Sequence, residues 1–416
     1  MDASFLSHIF NLLLLLVPTS AIIFHKGTHS LREQCHERDR HVLLNFKHTV
    51  DDPSSILSSW SDDCRDCCEW VGIQCDNATG RVIKLSLPCS LEAHDYDCEE
   101  KKYHCLTDLF IDSLHWIYNF SSLKYINFRG INLHGKVDWL QIATSLPSLS
   151  ELRLDSCQLQ SINPSLQYVN FTSLEVLSLS GNAFNSEFFP NWLFNLSDVI
   201  TSVNLSYNYF HGELPKRLLN LQKLKSLDLH GNKLSGPIPA WLGQLEHLQV
   251  FDVSENLLSS PIPPGLGNLS SLITLNLNSN NVNGSLPESL GQLLNLEMLS
   301  FHDNHLMGHV SERNFVRLYN LKVLGMGSPS LIFDFDLLWV PPFQLIELHL
   351  LHMVDSIFPE WIYTQKSLRV LIIVSSSISF QSQDNFWNFA TQFGCLCSQN
   401  ITIDWEMSDV LLTPHT

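Results

Sequence analysis

The sequence predicts an α/β repeat protein, a solenoid of short coils with a parallel β-sheet on the concave face and a small disulfide-linked helical cap at the amino-terminal end. Two observations carry this prediction. Apolar residues recur every 23–26 residues from Leu123 to Leu368, and a segment rich in cysteine and tryptophan precedes them. A fixed period of this length indicates stacked units, each of which buries its apolar face against its neighbours.

The repeat is visible in three consecutive stretches. Residues 224–239 read LKSLDLHGNKLSGPIP, residues 248–263 read LQVFDVSENLLSSPIP, and residues 272–287 read LITLNLNSNNVNGSLP. Their shared pattern, L-x-x-L-x-L-x-x-N-x-L, identifies leucine-rich repeats. We therefore predict a leucine-rich-repeat solenoid of about eleven repeats across residues 123–391. The leading apolar residues are Leu123, Leu149, Leu174, Ile200, Leu224, Leu248, Leu272, Leu296, Leu321, Leu345 and Leu368.

Two positions of the repeat have clear physical roles. In the strand the side chains alternate, so Leu227 and Leu229 should point inward while Asp228 and His230 face solvent. At the following turn an asparagine can hydrogen-bond backbone groups of its own and neighbouring coils. This turn position holds Asn182, Asn208, Asn232, Asn256, Asn280 and Asn304 in the middle of the array, and Ile131, Cys157, Pro329, Met353 and Ser376 elsewhere.

Residues 35–81 are predicted to form the amino-terminal cap, because the first coil of a solenoid needs a polar, cross-linked cover. In HERDRHVLLNFKHTV the apolar residues Val42, Leu43, Phe46 and Val50 fall at helical spacing. Pro53 is expected to begin a second short helix.

The cap and the repeats together resemble those of a known family. The stretch CHERDRHVLLNFK, then LSSW and DCCEWVGIQCDNATGRVIKLSL, resembles the cap of plant leucine-rich-repeat receptor-like proteins. GPIPAWLGQL from Gly236 matches the plant-specific repeat, and the branch most resembled includes receptors for fungal ethylene-inducing xylanase. The resemblance implies disulfides Cys35–Cys67 and Cys68–Cys75. It also implies a protein without its own kinase, whose signalling partner is a membrane receptor kinase.

The segments that flank the repeats are less regular. Residues 82–122 are predicted to hold the first strand and an insertion, SLEAHDYDCEEKKYH, bridged by Cys89 and Cys105. The sequence assigns no partner to Cys64 or Cys98. The repeat signature decays after residue 390, so residues 392–416 are interpreted as a degenerate or truncated repeat, and the chain as the amino-terminal part of a longer receptor.

Residues 1–21 are predicted to be a signal peptide. The apolar run at residues 9–17 is shorter than the roughly 20 residues of a membrane-spanning helix, and small residues follow it. No other stretch predicts a membrane span, so we expect the secretory pathway, with the chain secreted or at the extracellular face of the plasma membrane. The predicted N-glycosylation sites are Asn77, Asn119, Asn170, Asn195, Asn204, Asn268, Asn283 and Asn400.

Composition and motifs exclude other function classes. Lys and Arg total 24 against 42 Asp and Glu, a formal charge of −18 that argues against nucleic-acid binding. No nucleophile-elbow, zinc-protease, phosphate-loop or kinase signature occurs, so we predict no enzyme and no cofactor. His94, Cys98, His104 and Cys105 have the residue types of a metal site, but a disulfide with loop histidines is the favoured interpretation in an oxidising compartment.

The predicted function is non-enzymatic recognition of an extracellular protein or peptide ligand in plant defence or peptide signalling. Such a ligand would bind the strand positions that face solvent. The four histidines His230, His302, His349 and His352 share this face, and we hypothesise that they charge as the pH falls toward 6 and make binding pH-dependent. The ligand-face candidates are Arg153, Asp228, His230, Asp252, Glu255, Asn276, Asn278, His302 and Asp303.

Two alternatives to a receptor stay open from the sequence. A secreted inhibitor of a microbial cell-wall hydrolase, similar to the polygalacturonase-inhibiting proteins, shares this type of cap and repeat. Cys395 and Cys397 lie near the terminal cysteines of such inhibitors, although their surroundings do not match. An inactive truncated gene product is the second alternative.

Overall fold

The structure, a computed structural model, describes residues 34–87, 109–162, 171–187, 189–353, 356–374, 376–380, 383–399 and 402–405. The chain divides into two compact units, one ending at Tyr209 and one beginning at Phe210. The predicted signal peptide, the Cys89–Cys105 insertion, Asn170, Asn400 and residues 406–416 lie outside the described residues.

The first unit contains the cap and the early coils. Strand β1 pairs with β2 in antiparallel fashion, and β2 to β6 continue in sequence order as a parallel sheet. Its helices are α1 (Glu37–Thr49) and α2 (Trp139–Thr144), with short 3₁₀ helices at Cys67–Glu69, His115–Asn119 and Asn191–Asn195. Its strands are β1 (Ile73–Cys75), β2 (Val82–Ser86), β3 (Tyr125–Asn127), β4 (Glu151–Arg153), β5 (Val176–Ser178) and β6 (Ser202–Asn204).

The cap has the helix and both disulfides that the sequence and the resemblance lead us to expect. Helix α1 buries Leu43, Leu44 and Phe46, and disulfides join Cys35 to Cys67 and Cys68 to Cys75. The buried carboxylate of Asp39 accepts hydrogen bonds from Arg81 Nε and Val82 N, both at 2.9 Å, and so ties α1 to β2. The disulfides therefore cross-link the cap itself, and the bonds of Asp39 join it to the first strand after the cap.

The expected second helix at Pro53 is wrong. Residues after Pro53 form turns, and the carboxylate of Asp52 accepts hydrogen bonds from Ile56 N and Leu57 N at 2.9 and 2.8 Å. Because the aspartate satisfies these backbone groups itself, no helix is needed to pair them.

The second unit contains two long parallel ladders. One sheet runs β8-β10-β12-β14-β16-β18-β20-β22 and is called the first sheet below. The second sheet runs β7-β9-β11-β13-β15-β17, and β19, β21 and β23 form a third. The first-sheet strands are β8 (Ser226–Asp228), β10 (Val250–Asp252), β12 (Thr274–Asn276), β14 (Met298–Ser300), β16 (Val323–Met326), β18 (Glu347–Leu351), β20 (Val370–Val374) and β22 (Cys395–Gln399).

The remaining elements of this unit alternate with those strands. The other strands are β7 (His211–Gly212), β9 (Lys233–Pro237), β11 (Leu257–Pro261), β13 (Asn281–Gly284), β15 (His305–Val310), β17 (Ser330–Phe333), β19 (Ser356–Ile357), β21 (Ser377–Phe380) and β23 (Thr402–Trp405). The helices are α3 (Gln383–Ala390) and 3₁₀ helices at Lys216–Asn220, Ala240–Gln244, Pro264–Asn268, Glu288–Gln292, Glu312–Asn314 and Glu360–Thr364.

One coil shows why the repeat pattern produces this architecture. Two strand leucines point inward, the chain turns at an asparagine, a second strand follows, and a 3₁₀ helix after Pro239 returns the chain to the next coil. Gly236 lies in the left-handed region at φ 76°, where a Cβ would come within 2.7 Å of Glu213. The apolar side chains of this coil are at most 2% exposed: Leu224, Leu227, Leu229, Leu234, Ile238, Leu242 and Leu245.

The turn asparagines link each coil to its neighbours, as the repeat pattern predicts. Asn256 Nδ2 donates to the carbonyls of Leu229, Val253 and Ser254 at 3.0, 3.1 and 3.0 Å, and Asn256 Oδ1 accepts from Leu234 N at 2.9 Å. Asn280 makes an equivalent set of bonds one coil later. Each side chain thus satisfies buried backbone groups of two successive coils.

Other polar side chains substitute where the asparagine is missing. Cys157 Sγ lies 3.0 Å from the carbonyl of Phe128, and burial raises the pKa of this thiol. Ser328 Oγ donates to the carbonyls of Asn304 and Leu306 at 3.1 and 2.8 Å, and Ser376 Oγ donates to Val374 O at 2.8 Å. Cys157, which the sequence leaves without a role, is therefore a structural residue of the coil.

Asn256→Ala should lower the free energy of unfolding by about 3 kcal/mol, because it leaves several buried backbone groups without partners. Chemical denaturation of the purified chain measures this change. Asn281→Ala is the matched control, since Asn281 is exposed on β13 in the next coil. Equal midpoints for the two variants would contradict the role assigned to Asn256.

Candidate ligand-binding face

The outer side of the first sheet in the second unit carries a row of residues that are polar apart from one glycine, called the strand face below. The pairing of neighbouring strands aligns one residue from each of the strands β8, β10, β12, β14, β16 and β18 in this row. Its members are Asp228, Asp252, Asn276, Ser300, Gly325 and His349.

The expectation that these side chains are open to solvent is wrong for most of the predicted residues. Adjacent strands lie only about 4.8 Å apart, so short polar side chains lie against one another and bond across coils. Three of the candidates, Arg153, Glu255 and Asp303, keep partial exposure. Six are at most 7% exposed: Asp228, His230, Asp252, Asn276, Asn278 and His302.

At the β8 end of the face an imidazole lies between carboxylates. His230 Nδ1 is 2.7 Å from Asp228 Oδ1. Burial alone would lower the pKa of His230, but the Asp228 carboxylate, aided by Asp252 and Glu255, outweighs it and raises the pKa to about 9. His230 is therefore a cation held by acidic neighbours.

The centre of the face is a network of amide, hydroxyl and carboxylate groups. Asn276 Nδ2 donates to Asp252 Oδ2 at 3.0 Å and to Ser254 Oγ at 3.2 Å. Ser254 Oγ donates in turn to Asp252 Oδ1 at 2.6 Å, and Asn278 Oδ1 accepts from the backbone N of His302 at 3.1 Å. These contacts fix the rotamers of residues on two successive coils and bond them to the backbone of a third.

At the β18 end, imidazoles gather around one carboxylate. Asp303 accepts from His352 Nδ1 at 2.5 Å and from His302 Nδ1 at 3.2 Å, although the two histidines are 50 residues apart. Burial would raise the pKa of Asp303, but these imidazoles outweigh it and the pKa is lowered. Within the described chain, His302 Nε2, His349 Nε2 and Glu347 Oε2 are buried without a hydrogen-bond partner.

A glycine makes room for this arrangement. A Cβ at Gly325 would lie 2.0 Å from Ser300 Oγ and 3.0 Å from His302 Cδ2, so both side chains lean over β16. Ser254, Ser300, Gly325 and Glu347 are not among the predicted ligand-face residues. The repeat register was the available signal for three of them, because Ser300 and Gly325 lie in the row of Asn276 and Ser254 lies one coil before Asn278. Glu347 aligns with Val323 and with no predicted residue.

The hypothesis that all four histidines charge as the pH falls toward 6 is wrong for two of them. His230 already holds its proton well above that pH because of Asp228. His302 is fully buried, and this burial lowers its pKa against the opposing effect of Asp303.

One group on the face has the residue types of a metal site. Ligand atoms of Asp228, His230 and Asp252 lie within 4.8 Å of one another. Each is already engaged, since His230 pairs with Asp228, and Asp252 accepts from Ser254 and Asn276. The arrangement is therefore explained by the internal ion pair, and we assign no metal to it.

The first unit has polar side chains on its own sheet. Arg153 Nε pairs with Glu151 Oε1, and Asp155 accepts from Ser178 Oγ and Ser180 N at 2.5 and 2.9 Å. Burial raises the pKa of the Asp155 carboxyl. Arg153 is the predicted ligand-face residue of this unit, and its guanidinium remains partly exposed beside these acids.

The described glycosylation candidates are all at least partly exposed. Asn77, Asn195 and Asn268 are exposed, whereas Asn119, Asn204 and Asn283 are half-buried. Asn204 ends β6 and its Oδ1 accepts from Ser206 N and Oγ at 2.9 and 2.7 Å. Modification of these six residues stays a prediction.

Stability should fall as the pH rises from about 6.5 to 9, because the ion pair of His230 is fully present below the ordinary imidazole pKa and is lost as the pH passes the raised folded-state value. His230→Gln removes the ion pair, so the free energy of unfolding should fall less across this pH range. The fall should be smaller by on the order of 3 kcal/mol at the upper end of the range. Denaturation midpoints across this pH range measure the slope. The exposed His305 provides the control variant His305→Gln, and equal slopes for both variants would contradict the assignment.

Two family models match this chain. A family model for a leucine-rich repeat region matches residues 160–398, and one for a leucine-rich repeat N-terminal domain matches residues 36–76. The helices within the described ranges are too short or too polar to serve as a membrane span.

The curated relatives include plant receptor-like proteins. The chain is 28% identical over 295 residues to receptor-like protein EIX1 of Solanum lycopersicum, covering 53% of this chain and 28% of that protein. It is 26% identical over 264 residues to receptor-like protein EIX2 of the same species, covering 47% of this chain and 26% of that protein. The chain thus spans between a quarter and a third of the length of these relatives.

Solved structures show the same fold. The ectodomain of the Arabidopsis receptor kinase HAESA, in complex with the peptide hormone IDA and the co-receptor SERK1, is similar with a TM-score of 0.69 at 24% identity, covering 88% of this chain and 62% of that one. The ectodomain of the Arabidopsis receptor kinase GASSHO1/SCHENGEN3 has a TM-score of 0.57 at 22% identity, covering 88% of this chain and 47% of that one. The chain therefore belongs to the leucine-rich-repeat family, and within it is similar to plant receptor-like proteins of the EIX type.

Proposed function

We propose that this chain is a non-enzymatic extracellular recognition module of a plant receptor-like protein, and that the strand face binds a protein or peptide ligand. The row of polar residues from β8 to β18 carries the proposal. It presents carboxylates and a cation at one end, amides in the centre and imidazoles at the other end, in an arrangement held by mutual hydrogen bonds.

The physical advantage of such a face is that its polar groups are ordered before a ligand arrives. Side chains already fixed by hydrogen bonds lose little rotamer freedom on binding. Partly exposed Glu255, Asp303 and His352 are the most accessible groups at its edge. A few of these contacts should carry most of the binding energy.

The relatives support the same assignment at the level of protein class. EIX1 and EIX2 are receptor-like proteins, and the same fold holds a peptide hormone in the HAESA complex. By analogy with this class, a membrane receptor kinase would be the signalling partner, and the module would lie outside the cell. The proposed ligand of the module is a protein or peptide.

Thr274→Arg should weaken ligand binding by at least about ten-fold, because Thr274 is half-buried on β12 and a long charged side chain there obstructs the strand face. Peptides selected on the wild-type chain from a displayed library of random dodecapeptides provide the ligands. Their affinities for wild type and variant, measured by biolayer interferometry, test the prediction.

Asn281→Arg is the control for Thr274→Arg. Asn281 belongs to the same coil but is exposed on β13 of the second sheet, so the same substitution leaves the strand face unobstructed. If every selected peptide binds the Thr274→Arg variant as tightly as wild type, the strand face is not the binding surface.

A further inference from the structure

An exposed apolar tip lies beyond β17, away from the strand face. Leu337, Leu338 and Val340 are 73%, 90% and 65% exposed, and these three residues are called the apolar tip. Ile332 on β17, five residues before the tip begins, is also 54% exposed. Contiguous apolar exposure of this kind commonly marks an interaction surface.

The tip is held by aromatic residues before, within and after it in sequence. The rings of Phe335 and Trp339 stack at 5.3 Å with an interplanar angle of 6°. Both rings contact Trp361 edge-to-face at 5.7 Å, and Phe343 packs against Trp339 and Trp361. Phe335 and Trp339 anchor the segment in this cluster, and the two leucines between them are exposed.

Backbone contacts fix the same segment. Asp334 N donates to Val310 O at 2.9 Å, which joins the segment to the end of β15. Asp336 closes a turn, since its Oδ1 accepts from Leu338 N at 2.8 Å and its carbonyl accepts from Trp339 N at 3.0 Å. The apolar tip is therefore presented in a defined conformation, and its ordering cost is already met before a partner binds.

An acidic pocket adjoins the tip. The cavity, about 610 Å³ in volume, is lined by carboxylates from three successive coils and by one guanidinium. Arg313 lies 3.8 Å from Glu288, and His309 lies 3.6 Å from Asp334. The lining has more carboxylates than guanidinium groups, so its net charge is negative. The charged residues of the lining are Glu288, Glu312, Asp334, Asp336 and Arg313.

We infer that the apolar tip and the acidic pocket form a second interaction surface, which binds a protein partner bearing an apolar patch next to a lysine or arginine side chain. The apolar patch covers Leu337, Leu338 and Val340. The basic side chain enters the pocket, where Glu312 and Asp334 pair with it. Charge complementarity between the pocket and a basic group sets the register of the partner on the tip.

The charge of the pocket also argues against other occupants. A second copy of this chain would bring a second set of carboxylates to the same place, and the chain has a formal charge of −18. An anionic lipid surface would be repelled for the same reason. A basic protein partner satisfies both the apolar tip and the carboxylates.

The test uses the purified full chain and a displayed library of random dodecapeptides. Peptides that compete with one another but not with strand-face peptides define a separate site. We expect one class to combine aliphatic residues with lysine or arginine, and to lose at least about ten-fold in affinity for Leu338→Ser. The same class should weaken comparably for the double variant Glu312→Gln with Asp334→Asn, and should bind the Thr274→Arg variant normally.

Matched control variants distinguish an effect at this surface from the general effect of losing an exposed leucine or carboxylate. Leu257→Ser removes an exposed leucine on β11, and Glu213→Gln with Glu246→Gln removes two exposed carboxylates elsewhere in the unit. Neither should change the affinity of these peptides. Since Leu338 is 90% exposed, its substitution leaves the core intact, and unchanged denaturation midpoints verify this.

Three results would overturn the inference. The first is the absence of any selected peptide sensitive to Leu338→Ser. The second is a sensitive class that lacks basic residues or binds the two-carboxylate variant as tightly as wild type. The third is self-association of the wild-type chain in sedimentation, abolished by Leu338→Ser, which would identify a second copy as the occupant. If no selected peptide binds the strand face, that result counts against the proposed function but not against this second surface.

Discussion

The hydrogen bonds of the turn asparagines constrain the regular coils of the second unit. Each asparagine satisfies carbonyl and amide groups of its own coil and of the coil before it, in a region where no water reaches them. The contact holds the turn of one coil against the start of the second-sheet strand in the coil before it. Where asparagine is replaced, Cys157, Ser328 and Ser376 preserve part of the bonding, which shows that the constraint is the bond and not the residue type.

The close stacking of coils also determines the chemistry of the strand face. Because successive strands are near neighbours, acids, amides and imidazoles on them contact one another before they contact solvent. The carboxylate of Asp228 raises the pKa of His230, whereas burial lowers the pKa of His302. The face is therefore an ordered polar surface in which each group's charge depends on the adjacent coils.

Departures from the repeat create the other surfaces of the unit. Gly325 opens space that Ser300 and His302 occupy. After β17 the chain leaves the regular coil, and Phe335 and Trp339 pack with Trp361 in place of the usual leucines. The exposed leucines of the apolar tip lie between the anchored residues Phe335 and Trp339. Regular coils thus provide the scaffold, and irregular coils provide the distinctive contacts.

The sequence by itself determined the period of the coils, the inward leucines and the asparagine turns, because these depend on local geometry repeated at fixed spacing. The resemblance added the cap disulfides of Cys35, Cys67, Cys68 and Cys75. Only the tertiary structure decided that Asp228, Asp252 and His302 are buried, that Cys157 serves a coil, and that the leucines after Asp336 are exposed. Burial and charge state depend on side chains one or more coils away, and no local pattern contains that information.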